Sequence, residues 1–351
     1  MDEIERIINA IGHLDEAAMA SARERQGQLT KPAGSLGRLE ELAVQIAGIT
    51  GQVRPRLPRK AIVVMAGDHG VVAEGVSAYP PEVTPQMVLN FLAGSAAINV
   101  LARRVGARVV VVDIGVAAQL PLKDGLISRK VALGTRNLAV EPAMSREEAT
   151  EAVRVGIEVL EAEVQRGLDL IATGEMGIGN STAASAVVAV LTGSPVAGVV
   201  GRGTGVDNAG LARKVRAIER GIWLTRPVAS DPMDVLAKVG GLEIAGLVGV
   251  ILAGAAHRIP VVIYGFISSA AALAAASICP RVKPYLIPSH RSVEVGHKAI
   301  FESLDLRPLF DLDMRLGEGT GAAIAMHLID DALALHDEMA TFAEAGVAQK
   351  P

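Results

Sequence analysis

Residues 168–182 read Leu168-Asp169-Leu170-Ile171-Ala172-Thr173-Gly174-Glu175-Met176-Gly177-Ile178-Gly179-Asn180-Ser181-Thr182. An apolar run of strand length, 168–173, passes through a glycine-rich loop into a small-residue helical segment at 181–192. Continuous apolarity suits a strand covered on both faces, as in a parallel sheet. Working outward, the pattern recurs. Strand-like runs lie at 60–66 (KAIVVMA), 107–114 (ARVVVVDI), 260–264 (PVVIY), 284–287 and 312–316. Helical periods fall between them at about 84–104, 145–166, 207–223, 242–257, 266–278, 292–303 and 320–340. The 145–166 helix opens on Ser145 with Glu148 three residues on, a capping box. Alternating strand and helix predicts an α/β fold, a parallel sheet with helices on both sides.

The chain ends differ. Residues 2–25 and 38–50 are helical with no strand between them, and the chain closes on a long helix. These ends are expected to form a small helical domain, 1–55 plus 320–351, beside a large α/β domain, 56–319, that carries the site. No linker or internal repeat separates the two.

Composition narrows the function. Of 351 residues, 50% are hydrophobic and 21% charged, which excludes a disordered chain. The formal charge is −4 and no Lys/Arg-rich run occurs, so no nucleic-acid partner is expected. Cys279 is the sole cysteine, which excludes an internal disulfide framework and a four-cysteine zinc site. The N-terminus, MDEIERIINAIGHLDEA, is charged and helical rather than a signal peptide, and a reducing cytoplasm is the expected compartment. Residues 181–201 and 259–280 are uncharged and long enough to span a bilayer. Gly193, Pro195, Pro260 and Gly265 interrupt them, so both read as buried structure and no membrane association is expected.

Ligands of open α/β sheets bind beyond the carboxyl ends of the strands. The residues there are Gly67-Asp68-His69-Gly70, Gly115, the 174–182 loop, Pro288-Ser289-His290-Arg291-Ser292 and Gly317-Glu318-Gly319-Thr320-Gly321. In the 174–182 loop, Gly177, Ile178 and Gly179 let backbone approach a ligand, while Asn180 and Ser181 bring polar side chains to a helix N-terminus. A second cluster, Gly201-Arg202-Gly203-Thr204-Gly205, precedes a helix carrying Lys214. Either loop is also what a tight turn before a capped helix requires; together they point to an anionic ligand.

The run 317–322 matches a dinucleotide fingerprint, but no strand follows to complete that unit, and Glu318 would oppose a pyrophosphate. No Gly-Lys dipeptide occurs, so there is no P-loop. The acidic pair and Thr-rich loop of sugar-diphosphate-dependent phosphoribosyltransferases are missing too. Glu318 and Glu175 each stand among glycines and apolar residues where burial raises a carboxylate pKa, which suits a general base; pairing with Arg315 or a backbone amide is the structural alternative. The histidines lack a metal-site spacing and read as structural. Tyr79, Gln86 and Met87 lie on or after a proline-stiffened loop that can cover a flat aromatic ligand or serve only as a rigid surface excursion.

Six spaced blocks carry a resemblance: residues 30–40 (TKPAGSLGRLE), AGDHGV (66–71) with YPPEVTPQMV (79–88), TGEMGIGNST (173–182), GRGTG (201–205), SHRSVEVGH (289–297) and RLGEGTGAA (315–323). In this order, over about residues 28–340, the chain resembles the nicotinate-nucleotide–dimethylbenzimidazole phosphoribosyltransferase family. The resemblance implies a three-layer Rossmann-like α/β/α fold with a smaller helical domain, in a homodimer. It also implies transfer of phosphoribose from nicotinate mononucleotide to 5,6-dimethylbenzimidazole, yielding nicotinate and the α-ribazole phosphate used in cobalamin synthesis. Glu318 falls on the family's catalytic glutamate, and Glu175 on a residue lining the site near the ribose. Together with the residue reading, the 5′-phosphate is expected on the 174–182 and 201–205 loops. Lys214 or Arg291 would neutralise it, and Ser289 stands nearby. Tyr79, Gln86, Met87 and Leu316 are expected around the acceptor. No metal or cofactor is expected. The acceptor is left open among benzimidazoles, adenine and phenols, as is a non-catalytic sensor of the nucleotide.

Overall fold

A computed structural model describes residues 2–121 and 123–348. The chain opens with three helices, α1 (Glu3–Ala10), α2 (Glu16–Gln28) and α3 (Arg38–Thr50). Then follow β1 (Lys60–Gly67), α4 (Val83–Leu92), α5 (Ala97–Arg104), β2 (Ala107–Gly115), β3 (Leu126–Ser128), α6 (Arg146–Gln165) and β4 (Leu170–Met176). The second half runs through α7 (Asn180–Thr192), α8 (Val196–Val199), α9 (Asn208–Thr225), α10 (Pro232–Val239), α11 (Leu242–Ala256), β5 (Val261–Ile263) and α12 (Gly265–Ile278). It ends with β6 (Leu286–Pro288), α13 (Gly296–Leu304), α14 (Thr320–Glu338) and α15 (Phe342–Ala345).

The six strands form one sheet in the order β3-β2-β1-β4-β5-β6, and every pairing is parallel. That is the doubly wound α/β order, with its switch point between β1 and β4. Strand residues alternate between two cores. Ala61, Val63 and Met65 of β1 face the layer of α6, α11 and α12. Ile62, Val64 and Ala66 face the opposite layer, with Leu42 and Ile46 of α3, Val88 of α4, Ile98 of α5 and Ala322 and Met326 of α14. At the chain ends, α2 packs on α3 and α3 on α14, whereas α1 crosses to α11 and α6.

Several expectations need correction. Residues 312–316 are not a strand. No strand among the described residues pairs with them; Leu312 and Leu316 are exposed, and Asp313 has φ 53°. The expected helix at 84–104 is two helices, because the chain turns at Gly94 with φ 74°. Residues 83–104 are also the one stretch among those described with enough length and apolarity for a membrane span, and this break leaves neither half long enough. The helix expected from 292 begins only at Gly296, so 289–295 remain loop. Strand β3 and helix α10 were not anticipated. The first is three partly exposed residues. The second had a legible start: Asp231 accepts from the Asp234 amide, with Pro232 in the first turn.

Candidate functional site

Loops from β1, β4, β5 and β6 meet at the carboxyl edge of the sheet, joined by residues 201–204 and 315–317. They enclose a cavity of about 500 Å³ lined by Tyr79, Glu175, Asn180, Ser181, Gly203, Thr204, Tyr264, Phe266, Ser292, Glu294, Arg315, Leu316 and Gly317, among others. That volume suits a nucleotide-sized ligand.

Glu175, the penultimate residue of β4, is buried on the cavity wall. Asn180 Nδ2 donates to its Oε2. Burial pushes its pKa up to about 7, and the negative charge of Glu243 adds to the rise, against the Asn180 bond and the Glu318 amide. Beneath it lies a fully buried pair, with His69 Nε2 donating to Glu243 Oε1 at 2.8 Å. Burial alone would lower the His69 pKa, but Glu243, Asp68 and Glu175 outweigh it and raise it. The pair therefore carries a proton more readily than a solvated histidine, and its carboxylate presses Glu175 toward the neutral acid.

Residues 317–319 all have positive φ (99°, 67° and 96°). Glycine accepts this readily; Glu318 does so at a cost of roughly 1 kcal/mol or more, a type of strain found at functional sites. The turn rests on Tyr264, whose hydroxyl accepts from the Gly317 amide at 3.1 Å and lies 2.8 Å from Thr320 Oγ1. It brings Gly317 against the Glu175 carboxylate, where an added Cβ would stand 2.9 Å from Oε1. Glu318 itself is buried, and its Oε2 accepts from the Ile98 amide in the first turn of α5 at 3.2 Å. Burial raises its pKa and the Ile98 bond opposes the rise. Its side chain therefore faces α5 rather than the wall of the 500 Å³ cavity.

The second cluster also reaches the cavity. Lys214 is completely buried, with Nζ donating to Ser181 Oγ at 3.0 Å and to the Gly201 carbonyl at 2.9 Å. Burial lowers its pKa to about 8, and the Glu294 carboxylate partly opposes the fall. Thr204 Oγ1 accepts from the Ala78 amide at 3.1 Å, tying the 201–205 loop to the segment that carries Tyr79.

The cavity thus brings together Glu175, Asn180, Ser181, Gly203, Thr204, Tyr79 and Leu316 from the sequence reading, with Lys214 directly behind Ser181. The other candidates sit elsewhere. Gly177 and Gly179 are buried against the end of β1 and residues 69–72, and the Ile178 amide donates to Thr84 Oγ1. Ser289 Oγ donates to the Ile263 carbonyl inside the fold. Arg291 is exposed and 4.0 Å from Asp311. Gln86 is exposed on α4 and Met87 packs on the core behind it.

Sequence reasoning passed over Tyr264, Phe266 and Glu294 on the cavity wall and Glu243 below it, and left Ser292 and His69 in the inspected loops without a role in the site. Position just after β5 was a usable signal for Tyr264 and Phe266. Nothing local marked Glu243, which lies in the first turn of an apolar helix. His290 and His297 are packing residues: His290 stacks on Tyr264, and His297 bonds Ser269 and the Ser292 amide.

A family model described as "Phosphoribosyltransferase" (DBI_PRT) matches residues 11–347. The nicotinate-nucleotide–dimethylbenzimidazole phosphoribosyltransferase of Chloroflexus aggregans is 63% identical over 100% of this chain and 99% of its own length. The enzyme of that name from Geobacter sulfurreducens is 54% identical over 97% of each chain. A crystal structure of the enzyme of that name from Thermus thermophilus superposes with a TM-score of 0.91 at 48% identity, covering 96% of this chain and 100% of that one. A crystal structure of CobT from the same organism gives 0.92 at 49% identity, covering 95% and 100%. The chain belongs to the nicotinate-nucleotide–dimethylbenzimidazole phosphoribosyltransferase family and is a pentosyltransferase.

Proposed function

We propose that this enzyme moves the 5-phosphoribosyl group of nicotinate mononucleotide to 5,6-dimethylbenzimidazole, in the lower-ligand branch of cobalamin synthesis, as a cytoplasmic homodimer. The observation that carries the reading is one cavity lined both by a buried carboxylate of raised pKa, Glu175, and by Ser181 and Gly203, with the buried ammonium of Lys214 bonded to that serine. The names of the close relatives supply the substrates.

The chemistry asks little of the protein. Nicotinate leaves a nucleotide in which its ring nitrogen is already cationic, so the C1′–N bond breaks with its electron pair going to that nitrogen, and no general acid is needed. The unprotonated ring nitrogen of the acceptor forms the new bond from the opposite face, inverting β to α at C1′. The acceptor's other ring nitrogen then sheds its proton to Glu318, the general base; its carboxylate lies on the α5 side of the 317–319 turn, so this reading seats the acceptor between that turn and α4, at the margin of the cavity. Glu175, whose pKa of about 7 leaves part of it ionised at neutral pH and whose ionised form the donor's cationic ring favours, faces the oxocarbenium character that develops on the sugar. Ser181, Gly203 and Lys214 hold the 5′-phosphate. Tyr79 and Leu316 flank the acceptor on the cavity side, and Gln86 and Met87 on the α4 side.

Incubation of the protein with nicotinate mononucleotide and a panel of bases, followed by product analysis, tests this. Nicotinate and α-ribazole phosphate should appear with dimethylbenzimidazole in preference to adenine or phenol. Binding without nicotinate release would mean a sensor, and preference for another base would reassign the acceptor. Glu318→Gln should bind the mononucleotide normally and lose about 100-fold or more in kcat; near-normal kcat would remove Glu318 as the base.

A further inference from the structure

Glu294 lies on the wall of the same cavity and has no part in the reaction just described. It sits in the loop between β6 and α13, and its Oε1 accepts from the Gly203 amide at 2.9 Å. Its Oε2 is buried without a hydrogen-bond partner. The carboxylate is wedged against the glycine loop: a Cβ on Gly201 would stand 1.9 Å from Oε2. Lys214, which bonds Gly201 and Ser181, has a third ammonium proton with no partner among the described residues. A carboxylate thus takes the Gly203 amide and sets its charge near the buried Lys214 ammonium, two groups assigned above to the entering phosphate. An orphaned, buried carboxylate oxygen is costly, and its presence asks for a reason.

We propose that Glu294 is a built-in place-holder for the donor's phosphate, which occupies the cradle of the empty enzyme and is displaced when the mononucleotide enters. The inference rests on the phosphate assignment made under the proposed function. The Gly203 N–H makes one good hydrogen bond, so the carboxylate and the phosphate cannot both have it. Two anions side by side behind protein walls also repel. The carboxylate keeps Lys214 and the 201–205 loop arranged while the site is empty, and only a ligand whose phosphate replaces it gains the full cradle. Glu294 thereby sets the donor affinity and the preference for a phosphorylated ligand. A carboxylate that instead awaited the ribose hydroxyls would have the opposite effect on binding when removed.

Equilibrium binding of nicotinate mononucleotide, nicotinate riboside and inorganic phosphate to wild type, Glu294→Gln, Glu294→Ala and Lys214→Ala decides between them. Glu294→Ala, which removes both the acceptor and the charge, should bind the mononucleotide and inorganic phosphate about tenfold tighter. Glu294→Gln, which keeps an oxygen for the Gly203 amide and loses only the charge, should tighten them by less, and the riboside should change less than about twofold with either. Weakening of mononucleotide and riboside together would make Glu294 a ribose ligand or a loop brace and overturn the proposal. Wild type with no preference for mononucleotide over riboside, or a preference untouched by Lys214→Ala, would overturn the cradle assignment and this inference with it. An intact, Lys214-dependent preference that neither Glu294 variant enlarges overturns the inference alone.

Discussion

At the scale of single residues, the site concentrates buried charge that folding alone would avoid. Glu175, Glu243, Glu318, Asp68, His69 and Lys214 are all buried at one edge of the sheet. The energetic consequence is sharpest for Glu175, whose folded pKa of about 7 stands above its ordinary 4.5. A raised carboxyl pKa favours folding while the group is neutral. That advantage is complete below about pH 4.5 and is lost as the pH climbs through 7, by about 3 kcal/mol. Glu175→Gln keeps the shape and stays neutral. It should therefore match wild-type stability near pH 4.5 and exceed it by about 2–3 kcal/mol at pH 8, as read by urea unfolding at both values. A stability difference independent of pH would mean that Glu175 is not the strained charge described here. Such a variant, more stable and less active, would mark the carboxylate as kept for chemistry. The burial of Glu175 and Glu318 was legible from their neighbouring glycines, and for Glu175 from the strand before it; the strand expected before Glu318 is a loop. Ser289 and Arg291 also follow β6 as expected, but the Ser289 hydroxyl turns into the fold and the Arg291 guanidinium into solvent. Adjacency to a strand end locates a residue but does not aim its side chain.

At the scale of elements, close backbone contact shapes the layer under the sheet. Helices α6 and α11 meet through glycines: a Cβ on Gly156 would lie 1.9 Å from the Gly246 carbonyl oxygen, and one on Gly249 would lie 2.0 Å from that of Val153. Helix α11 in turn packs on β1, β2 and β4, so this contact supports the strand that carries Glu175. An exposed Gly→Ala change in a helix stabilises by about 1 kcal/mol. Gly156→Ala should do the reverse and cost about 2–3 kcal/mol in denaturant unfolding, because backbone cannot yield as a side chain end does. Stabilisation would show that the helices have room to spare. The elements also explain what periodicity missed. The 312–316 run alternates as a strand does, but a strand needs a neighbour, and the sheet ends at β6. Freed from a ladder, this segment becomes the approach to the left-handed turn at 317–319.

At the scale of the whole molecule, the two cores share the sheet, and α3 and α14 at the chain ends bury their apolar faces in the same core as Ile62 and Val64. Lys60 reaches Asp330 of α14 at 2.6 Å across that boundary. Shared burial predicts that the terminal helices unfold with the sheet in one transition, followed by far-ultraviolet circular dichroism and by hydrogen exchange of α3 and α14 amides. Earlier exchange of those helices as a group would instead mark the separate helical domain expected from the chain ends. From the linear chain alone came the class of fold, most strands and the loops that would face a ligand, because apolar runs, glycines and helix caps act over a few residues. Strand order, the turning of Glu318 toward α5, the seating of Glu294 on a loop 91 residues away and the His69–Glu243 pair 174 residues apart came only from tertiary packing. Those contacts join segments that carry no mutual signal along the chain, and they exist because burying both faces of the sheet forces its loops to one edge.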